Sequence, residues 1–214
     1  MQVAVLANGS WDPVWGKQVL AKVDFLVCAD GGANAAWACG RLPDVLVGDL
    51  DSVSAEVLTR CQEAGVQVAR YPREKDETDL ELALQWAVAK SPGATDIWLF
   101  GASGGRLDHL LGNVALLLRY ARQGLRVVLK DPGHEAWVSL GQDEIKGQEG
   151  DQLSVIVLSE TAVVSTAGLY YALDHAELRQ DSPRGVSNVF AANTCRIQVH
   201  AGWVLIVLLR QPDF

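Results

Sequence analysis

Short apolar runs alternate with longer amphipathic runs through residues 3–129, and this alternation constrains the fold more than any other feature. Between the apolar runs, apolar residues recur at helical spacing, as in Leu80–Val88 and Leu107–Leu118. Ser54–Ala64 begins with a capping serine and is followed by Gly65. Strands that alternate with helices predict a parallel sheet covered on both faces. The predicted strands are Val3–Leu6, Phe25–Ala29, Val45–Val47, Val66–Ala69, Ile97–Phe100 and Val127–Leu129.

The pattern changes after Pro132, which lies in the turn-forming sequence Asp131-Pro132-Gly133. Helical spacing disappears there, and short segments rich in β-forming residues follow, separated by glycines. This pattern predicts a small antiparallel sandwich or barrel. We therefore predict an α/β domain over residues 1–132 and a β domain over residues 133–214. The β-rich segments are Ala136–Leu140, Leu153–Leu158, Ala162–Ser165, Arg196–Val199 and Val204–Leu209.

Composition and charge exclude several classes of protein. The 214 residues carry a formal net charge of −8, whereas nucleic-acid binding relies on an excess of lysine and arginine. No apolar run approaches the roughly 18 residues of a membrane-spanning helix. The N-terminal residues lack the basic segment of a signal peptide, and the four cysteines form no CxxC pair. We predict a cytoplasmic protein with reduced cysteines that binds neither nucleic acid nor membrane.

Acidic residues follow three of the predicted strands, at the sheet edge where ligands bind in open α/β folds. In Gly48–Ser52, two aspartates one residue apart can share a divalent cation or form a turn and a helix cap. Asp76 and Asp79 either complement a helix dipole or form a second carboxylate cluster. Beside them, Lys75 can meet a phosphate. Asp30–Asn34 is either a turn or an anion-binding loop.

A glycine-rich segment, Gly101–Gly105, follows the fifth predicted strand. Backbone N–H groups in such a loop can bind phosphates, although no Walker A sequence follows. In the helix after it, Arg106, His109 and Asn113 fall on one polar stripe that packing does not require. We predict a functional role for this stripe. Gly185–Asn188 in the β-rich part is, taken alone, a turn.

Five motifs occur in order along the chain, and their combination is far more specific than any one of them. They are Asp-Gly-Gly-Ala-Asn at 30–34, Gly-Asp-Leu-Asp-Ser at 48–52, Lys-Asp-Glu-Thr-Asp at 75–79, Gly-Gly-Arg-Leu-Asp-His at 104–109 and Gly-Val-Ser-Asn at 185–188. The combination resembles the thiamine pyrophosphokinase family over residues 3–207. The resemblance implies a Rossmann-like α/β domain, a C-terminal antiparallel β-sandwich, and a homodimer with active sites at its interface.

The resemblance also implies roles for individual residues. Mg²⁺ would be held by Asp49, Asp51 and Asp79 with help from Asp30, and Arg106 would neutralise phosphate charge. The expected catalytic residues are therefore Asp49, Asp51, Asp79 and Arg106. Residues expected to contact ATP and its phosphates are Asp30, Gly31, Gly32, Asn34, Lys75, Asp76, Thr78, Gly104, Gly105, Arg106, His109 and Asn113. Residues expected to contact thiamine are Asp108, Tyr171, Ser187 and Asn188.

The implied reaction transfers pyrophosphate from ATP to the hydroxyl of thiamine, and an aspartate or a phosphate oxygen would accept the proton. One alternative is a pyrophosphokinase that acts on a hydroxymethyl pterin, because such enzymes share part of the acidic pattern. A second alternative is a non-catalytic protein that binds thiamine or a nucleotide. Trp11 and Trp15 flank Pro13 in a predicted loop and suit either a base pocket or a dimer surface.

Overall fold

A computed structural model describes residues 1–91 and 96–210. The chain forms two compact units. The first comprises Met1–Leu116 and Leu125–Pro132, and the second comprises Leu117–Gly124 together with the chain from Gly133 onward. The predicted domains differ from these units in assigning residues 117–124 to the first domain. Residues 211–214 of the predicted second domain lie outside the described residues.

Six parallel strands in the first unit form a sheet with the order β6-β5-β1-β2-β3-β4. The chain therefore starts in the interior of the sheet, builds outward to β4, and returns to the other side of β1 with β5. The strands are β1 Val3–Leu6, β2 Phe25–Ala29, β3 Val45–Gly48, β4 Gln67–Arg70, β5 Asp96–Phe100 and β6 Arg126–Asp131. The helices are α1 Pro13–Leu20, α2 Gly32–Ala38, α3 Ala55–Glu63, α4 Asp79–Lys90 and α5 Leu107–Ala121.

Capping side chains fix the starts of three helices. Asp12 accepts hydrogen bonds from the first backbone N–H groups of α1, and Pro13 occupies the first helical position. Ser54 caps α3 and Thr78 caps α4 in the same way. The sequence predicted a loop around Trp11 and Trp15. That prediction is wrong for Trp15, because Asp12 and Pro13 start a helix that includes it.

Trp11 and Trp15 pack on the hydrophobic core of the first unit. Their rings meet Phe100 edge to face, with centroids 5.9 and 5.5 Å away. Both side chains are partly buried against the cluster that contains Leu6, Leu26 and Phe100. The indole N–H of Trp11 points at Cys39 Sγ. These two rings therefore contribute to packing of the core.

Antiparallel strands make up most of the second unit and fall into two groups. One has the order β12-β9-β14-β7 and the other β11-β10-β13-β8. Along β10, buried Ala162, Val164 and Thr166 alternate with more exposed residues, so one face of that sheet is covered. The strands are β7 His134–Ser139, β8 Gln142–Lys146, β9 Gln152–Val157, β10 Thr161–Ala167, β11 Ala176–Arg179, β12 Asn188–Val189, β13 Thr194–Ala201 and β14 Val204–Leu209.

All four cysteines are free thiols, as predicted, and Cys28, Cys61 and Cys195 are buried. Burial raises the pKa of the Cys195 thiol to about 12. Within residues 1–91 and 96–210, no helix is both long and apolar enough to span a bilayer.

Candidate functional site

Three carboxylates of the first unit meet where neighbouring strands end. Asp30 follows β2, Asp49 follows β3, and Asp79 is the first residue of α4. One carboxylate oxygen from each lies within 4.8 Å of the other two. Asp30 is buried and the other two are partly buried. Because β2 and β3 are adjacent and parallel, their carboxyl ends lie at the same edge of the sheet, which is what the sequence predicted.

Gly48 makes this close approach of carboxylates sterically feasible. It is the last residue of β3, directly before Asp49, and has a φ of +143°, a backbone conformation that favours glycine. A Cβ atom at this position would lie 3.2 Å from both Asp30 Cβ and Asp79 Oδ1. Asp30 itself has a φ of 46°, an uncommon conformation for a residue with a side chain. The backbone is thus strained at the point where the acidic side chains converge.

The donor set fits a hard divalent cation such as Mg²⁺. All three side chains offer carboxylate oxygens, which Mg²⁺ prefers in proteins. Asp79 Oδ1 is buried and accepts no hydrogen bond, which is costly for an anionic oxygen unless a cation lies beside it, and the Lys75 ammonium is such a cation. Lys75 Nζ lies 2.9 Å from this oxygen, so the two form an ion pair without hydrogen-bond geometry. The same lysine donates to the carbonyl oxygen of Pro72.

Asp51, predicted as a metal ligand, lies outside this group of three. It is exposed, and its carboxylate accepts a hydrogen bond from the hydroxyl of Ser52. Asp49 instead accepts the backbone N–H of Asp51. Asp30, predicted as an assisting ligand, supplies the third carboxylate of the group.

Asn34, predicted to contact ATP, binds with its side-chain amide to the loop of residues 49–54, which we call the acidic loop. Its Nδ2 donates to the carbonyl oxygen of Ser52 at 2.8 Å, and its Oδ1 accepts the N–H of Ser54 at 3.0 Å. The amide therefore ties the start of α2 to the loop that carries Asp49 and Asp51. This geometry indicates a positioning role.

A cleft of about 500 Å³ adjoins the acidic loop. It is lined by Asp49, Asp51 and the segment Arg70–Arg73. The sequence interpretation did not single out Arg70 and Arg73, although they lie at and just after the end of β4 and so satisfy the rule by which the aspartates were found.

The glycine-rich segment after β5 packs against the segment after β1. The backbone N–H groups of Gly9 and Ser10 donate to the carbonyl oxygens of Gly101 and Ser103, at 2.7 and 3.1 Å. The sequence interpretation missed this second segment, Asn8–Ser10. A Cβ atom on Gly32 would lie 2.1 Å from the carbonyl oxygen of Leu6, so the close approach of α2 to β1 requires that glycine. Its neighbour Gly31 packs on the Asn8 side chain.

The residues of the polar stripe of α5 make different contacts. The Asn113 amide donates to the carbonyl oxygen of Ala102 at 2.7 Å and so anchors the glycine-rich loop. Arg106 forms a two-pronged ion pair with Asp108, at 2.9 and 2.5 Å. This pairing holds the pKa of the exposed Asp108 carboxyl well below its usual range. The remaining predicted residues Gly104, Gly105, His109, Asp76 and Thr78 are exposed, and Thr78 also caps α4.

In the second unit, the structure brings Tyr171 and Asn188 together. Asn188 Oδ1 accepts the N–H of Tyr171 at 3.0 Å, and Asn188 Nδ2 donates to its carbonyl oxygen at 2.8 Å. The Tyr171 ring stays exposed and meets the Tyr170 ring edge to face. Ser187 has a φ of 60°, and its N–H donates to Ser154 Oγ. The Asn188 side chain thus holds the backbone of Tyr171 in position.

Models of known protein families match both parts of the chain. Residues 16–129 match the model of the thiamin pyrophosphokinase catalytic domain, and residues 142–204 match that of the thiamin pyrophosphokinase vitamin B1 binding domain. The chain belongs to the thiamin pyrophosphokinase family. This finding confirms the predicted family, and the three carboxylates lie within the part that matches the catalytic domain.

Individual thiamin pyrophosphokinases are similar along most of their length. The thiamine pyrophosphokinase of Bacillus subtilis is 30% identical over 187 residues, which cover 86% of each chain. The crystal structure of the Geobacillus thermodenitrificans thiamin pyrophosphokinase is 28% identical, with a TM-score of 0.82 over 100% of this chain and 99% of that one. The Bacillus subtilis crystal structure has a TM-score of 0.85 at 24% identity, covers 99% of this chain and 100% of that one, and shows the fold alone. The predicted fold class is confirmed.

Proposed function

We propose that this chain transfers the terminal pyrophosphoryl group of ATP to the hydroxyl group of thiamine, giving thiamine diphosphate and AMP. The observation that carries the proposal is the convergence of Asp30, Asp49 and Asp79 in the part that matches the family's catalytic domain. The match of residues 142–204 to a vitamin B1 binding domain supports thiamine over a pterin as acceptor. The intact acidic group supports an enzyme over a non-catalytic binding protein.

In this proposal the three carboxylates hold Mg²⁺, with Asp51 nearby in the same loop. When bound, the ion neutralises charge on the phosphate oxygens and orients them. The thiamine hydroxyl oxygen forms a bond to the β-phosphorus, the bond from that phosphorus to the α-phosphate oxygen breaks, and AMP leaves. A carboxylate or a phosphate oxygen takes the hydroxyl proton. Arg106 reaches the phosphates by exchanging its contact with Asp108 for one with the nucleotide.

Thiamine carries a permanent positive charge on its thiazolium ring, and an acidic site attracts such a cation. Asp108 offers an ionised carboxylate for the polar end of this substrate. The exposed Tyr171 ring, whose segment Asn188 positions, offers an aromatic face for a cationic ring. Ser187 adds a hydroxyl beside it.

The decisive experiment incubates the protein with ATP, Mg²⁺ and thiamine and identifies the products by mass. Thiamine diphosphate and AMP are expected in equal amounts, and neither should form without thiamine or with a chelator. Replacement of thiamine by a hydroxymethyl pterin should give no product. ADP instead of AMP, or turnover of the pterin alone, would overturn the proposal.

Substitution Asp49→Asn tests the acidic group within this reaction. We expect turnover to fall by several orders of magnitude, because a neutral amide binds Mg²⁺ poorly. Glu63→Gln, an exposed position on α3, is the matched control and should retain activity. Circular dichroism should show that both variants are folded. Activity near the wild-type level in Asp49→Asn would end the metal assignment.

We also propose a homodimer in the cytoplasm. Each unit exposes large apolar side chains, Leu107 and Leu111 in the first and Tyr170, Tyr171 and Val186 in the second. Apolar groups of this kind, rimmed by polar residues, are typical of interaction surfaces. Sedimentation at several concentrations should give twice the mass of the chain, and Leu111→Glu should shift the equilibrium toward the monomer. A monomeric wild-type protein that retains full activity would reject the dimer.

A further inference from the structure

The cleft beside the acidic loop is lined by both acidic and basic side chains, and these form no ion pairs with one another. Asp49 and Asp51 lie on one side and the segment Arg70–Arg73 on the other. Across residues 1–91 and 96–210, neither Arg70 nor Arg73 ion-pairs with a carboxylate. By contrast, three other exposed arginines pair with a nearby carboxylate: Arg60 with Glu63, Arg106 with Asp108 and Arg179 with Asp181. The cleft therefore presents two guanidinium groups that remain available to a ligand.

Backbone pairing between β3 and β4 fixes the position of Arg70 relative to the acidic loop. Arg70 is the last residue of β4 and pairs with Gly48, the residue before Asp49. The N–H of Tyr71 donates to the carbonyl oxygen of Gly48 at 2.9 Å, which extends the attachment by one residue. The position of Arg70 is thus coupled to that of the acidic loop.

Lys75 closes the turn that carries Arg73. Its ammonium donates to the carbonyl oxygen of Pro72 at 3.1 Å and pairs with Asp79 at 2.9 Å. The Lys75 side chain is only 11% exposed, so water has little access to its contacts with Pro72 and Asp79. Residues 72–75 are consequently folded back toward the acidic group, and Arg73 is presented at the cleft.

We propose that Arg70 and Arg73 bind the β- and γ-phosphates of the nucleotide, the part that is transferred. This inference rests on the proposed function, because it takes the neighbouring carboxylates to be the residues that would hold Mg²⁺, which would neutralise part of the phosphate charge. A magnesium polyphosphate needs carboxylates for its metal and cations for its remaining oxygens, and this cleft offers both. Guanidinium groups suit phosphate because they donate parallel hydrogen bonds to two oxygens.

The test measures binding by calorimetry in Arg70→Met and Arg73→Met, with Arg60→Met as the matched control. The probes are Mg²⁺-pyrophosphate, Mg²⁺ with the α,β-methylene analogue of ATP, and AMP. We expect each cleft variant to bind the first two probes roughly tenfold to a hundredfold more weakly. AMP lacks the transferred phosphates, so its affinity should stay within about twofold of wild type, and Arg73→Lys should restore part of the loss.

Unchanged pyrophosphate affinity in both cleft variants would overturn the inference. An equal loss for AMP would also overturn it, because the arginines would then act on the nucleoside or the α-phosphate. Failure of the wild type to bind Mg²⁺-pyrophosphate at all would do the same. If the wild type binds this probe but forms no thiamine diphosphate, the proposed function fails while the phosphate assignment stands. Thermal unfolding of each variant separates loss of binding from loss of fold.

Discussion

Lys75 Nζ lies 2.9 Å from Oδ1 of Asp79, one of the three carboxylates that converge near the ends of β2 and β3. The ammonium group therefore lies beside the carboxylates to which we assign Mg²⁺. It supplies a positive charge next to a buried oxygen that accepts no hydrogen bond. The lysine both stabilises the acidic group and competes with a metal ion for it.

Removal of this competitor should tighten metal binding in the absence of nucleotide. In Lys75→Met we expect Mn²⁺, measured by electron paramagnetic resonance, to bind roughly tenfold more tightly, since a charge at this distance opposes a second cation by more than 1 kcal/mol (order of magnitude). Lys22→Met, which alters an exposed lysine away from the site, should leave Mn²⁺ affinity unchanged. Weaker Mn²⁺ binding in Lys75→Met would show that the lysine organises the site more than it competes.

Asn34 offers a test of positioning without a change of charge. In Asn34→Ala the loop from Asp49 to Ser54 loses two hydrogen bonds, and we expect stability to fall by about 1–3 kcal/mol. The KM for Mg²⁺-ATP should rise more than turnover falls, because the loop is then less often in its binding position. Asn34→Asp keeps the acceptor for Ser54 and should behave between alanine and wild type. Equal kinetics in all three proteins would refute a positioning role.

Gly48 is a position where a single methyl group should damage the acidic site. Gly48→Ala adds a Cβ atom 3.2 Å from Asp30 and Asp79 at a φ of +143°. We expect a loss of about 1–3 kcal/mol in the free energy of unfolding and markedly weaker Mn²⁺ binding. Gly124→Ala, at a φ of +80° with no atom near its Cβ, controls for backbone strain alone. Similar Mn²⁺ affinities in the two variants would show that crowding of the carboxylates is unimportant.

The Arg106–Asp108 pair should make the stability of the protein depend on pH. Because the pKa of Asp108 is lowered in the folded state by its hydrogen bonds to Arg106, the pair stabilises the protein above the ordinary carboxyl pKa. That contribution disappears as the pH falls through the lowered value. In Arg106→Met the pKa of Asp108 should return toward its ordinary range, as ¹³C NMR of the carboxyl carbon would report. An unshifted resonance in that variant would contradict the pairing.

Much of the fold follows from local sequence, and the exceptions have physical reasons. The parallel strands β1, β2, β3, β5 and β6 were predictable because strands buried on both faces consist largely of continuous apolar runs, whereas β4, at the edge, is largely exposed. β8, β11 and β12 were missed because they are short and largely polar, so their pairing depends on neighbouring strands. The start of α1 was missed because the Asp12 cap and Pro13 lie among aromatic residues that suggested a loop.

The candidate site was predictable in location and less so in detail. The rule that ligands bind where parallel strands end identified Asp30, Asp49 and Asp79. It could not rank Asp30 above Asp51, because the side-chain positions depend on the local backbone conformation, which here includes positive φ angles at Asp30, Gly48 and Leu50. Arg70 and Arg73 belong to none of the five motifs, and the cleft that they share with the acidic loop draws attention to them.

The position of β1 has a consequence for synthesis of the chain. β1 pairs with β2 on one side and with β5 on the other, and β5 begins only at Asp96. A nascent chain that has emerged as far as α4 already contains all three acidic side chains, yet one edge of β1 has no neighbour. Exposed edges of this kind recruit strands from other molecules. Ribosome stalling or truncation before β5 should therefore yield aggregation-prone fragments.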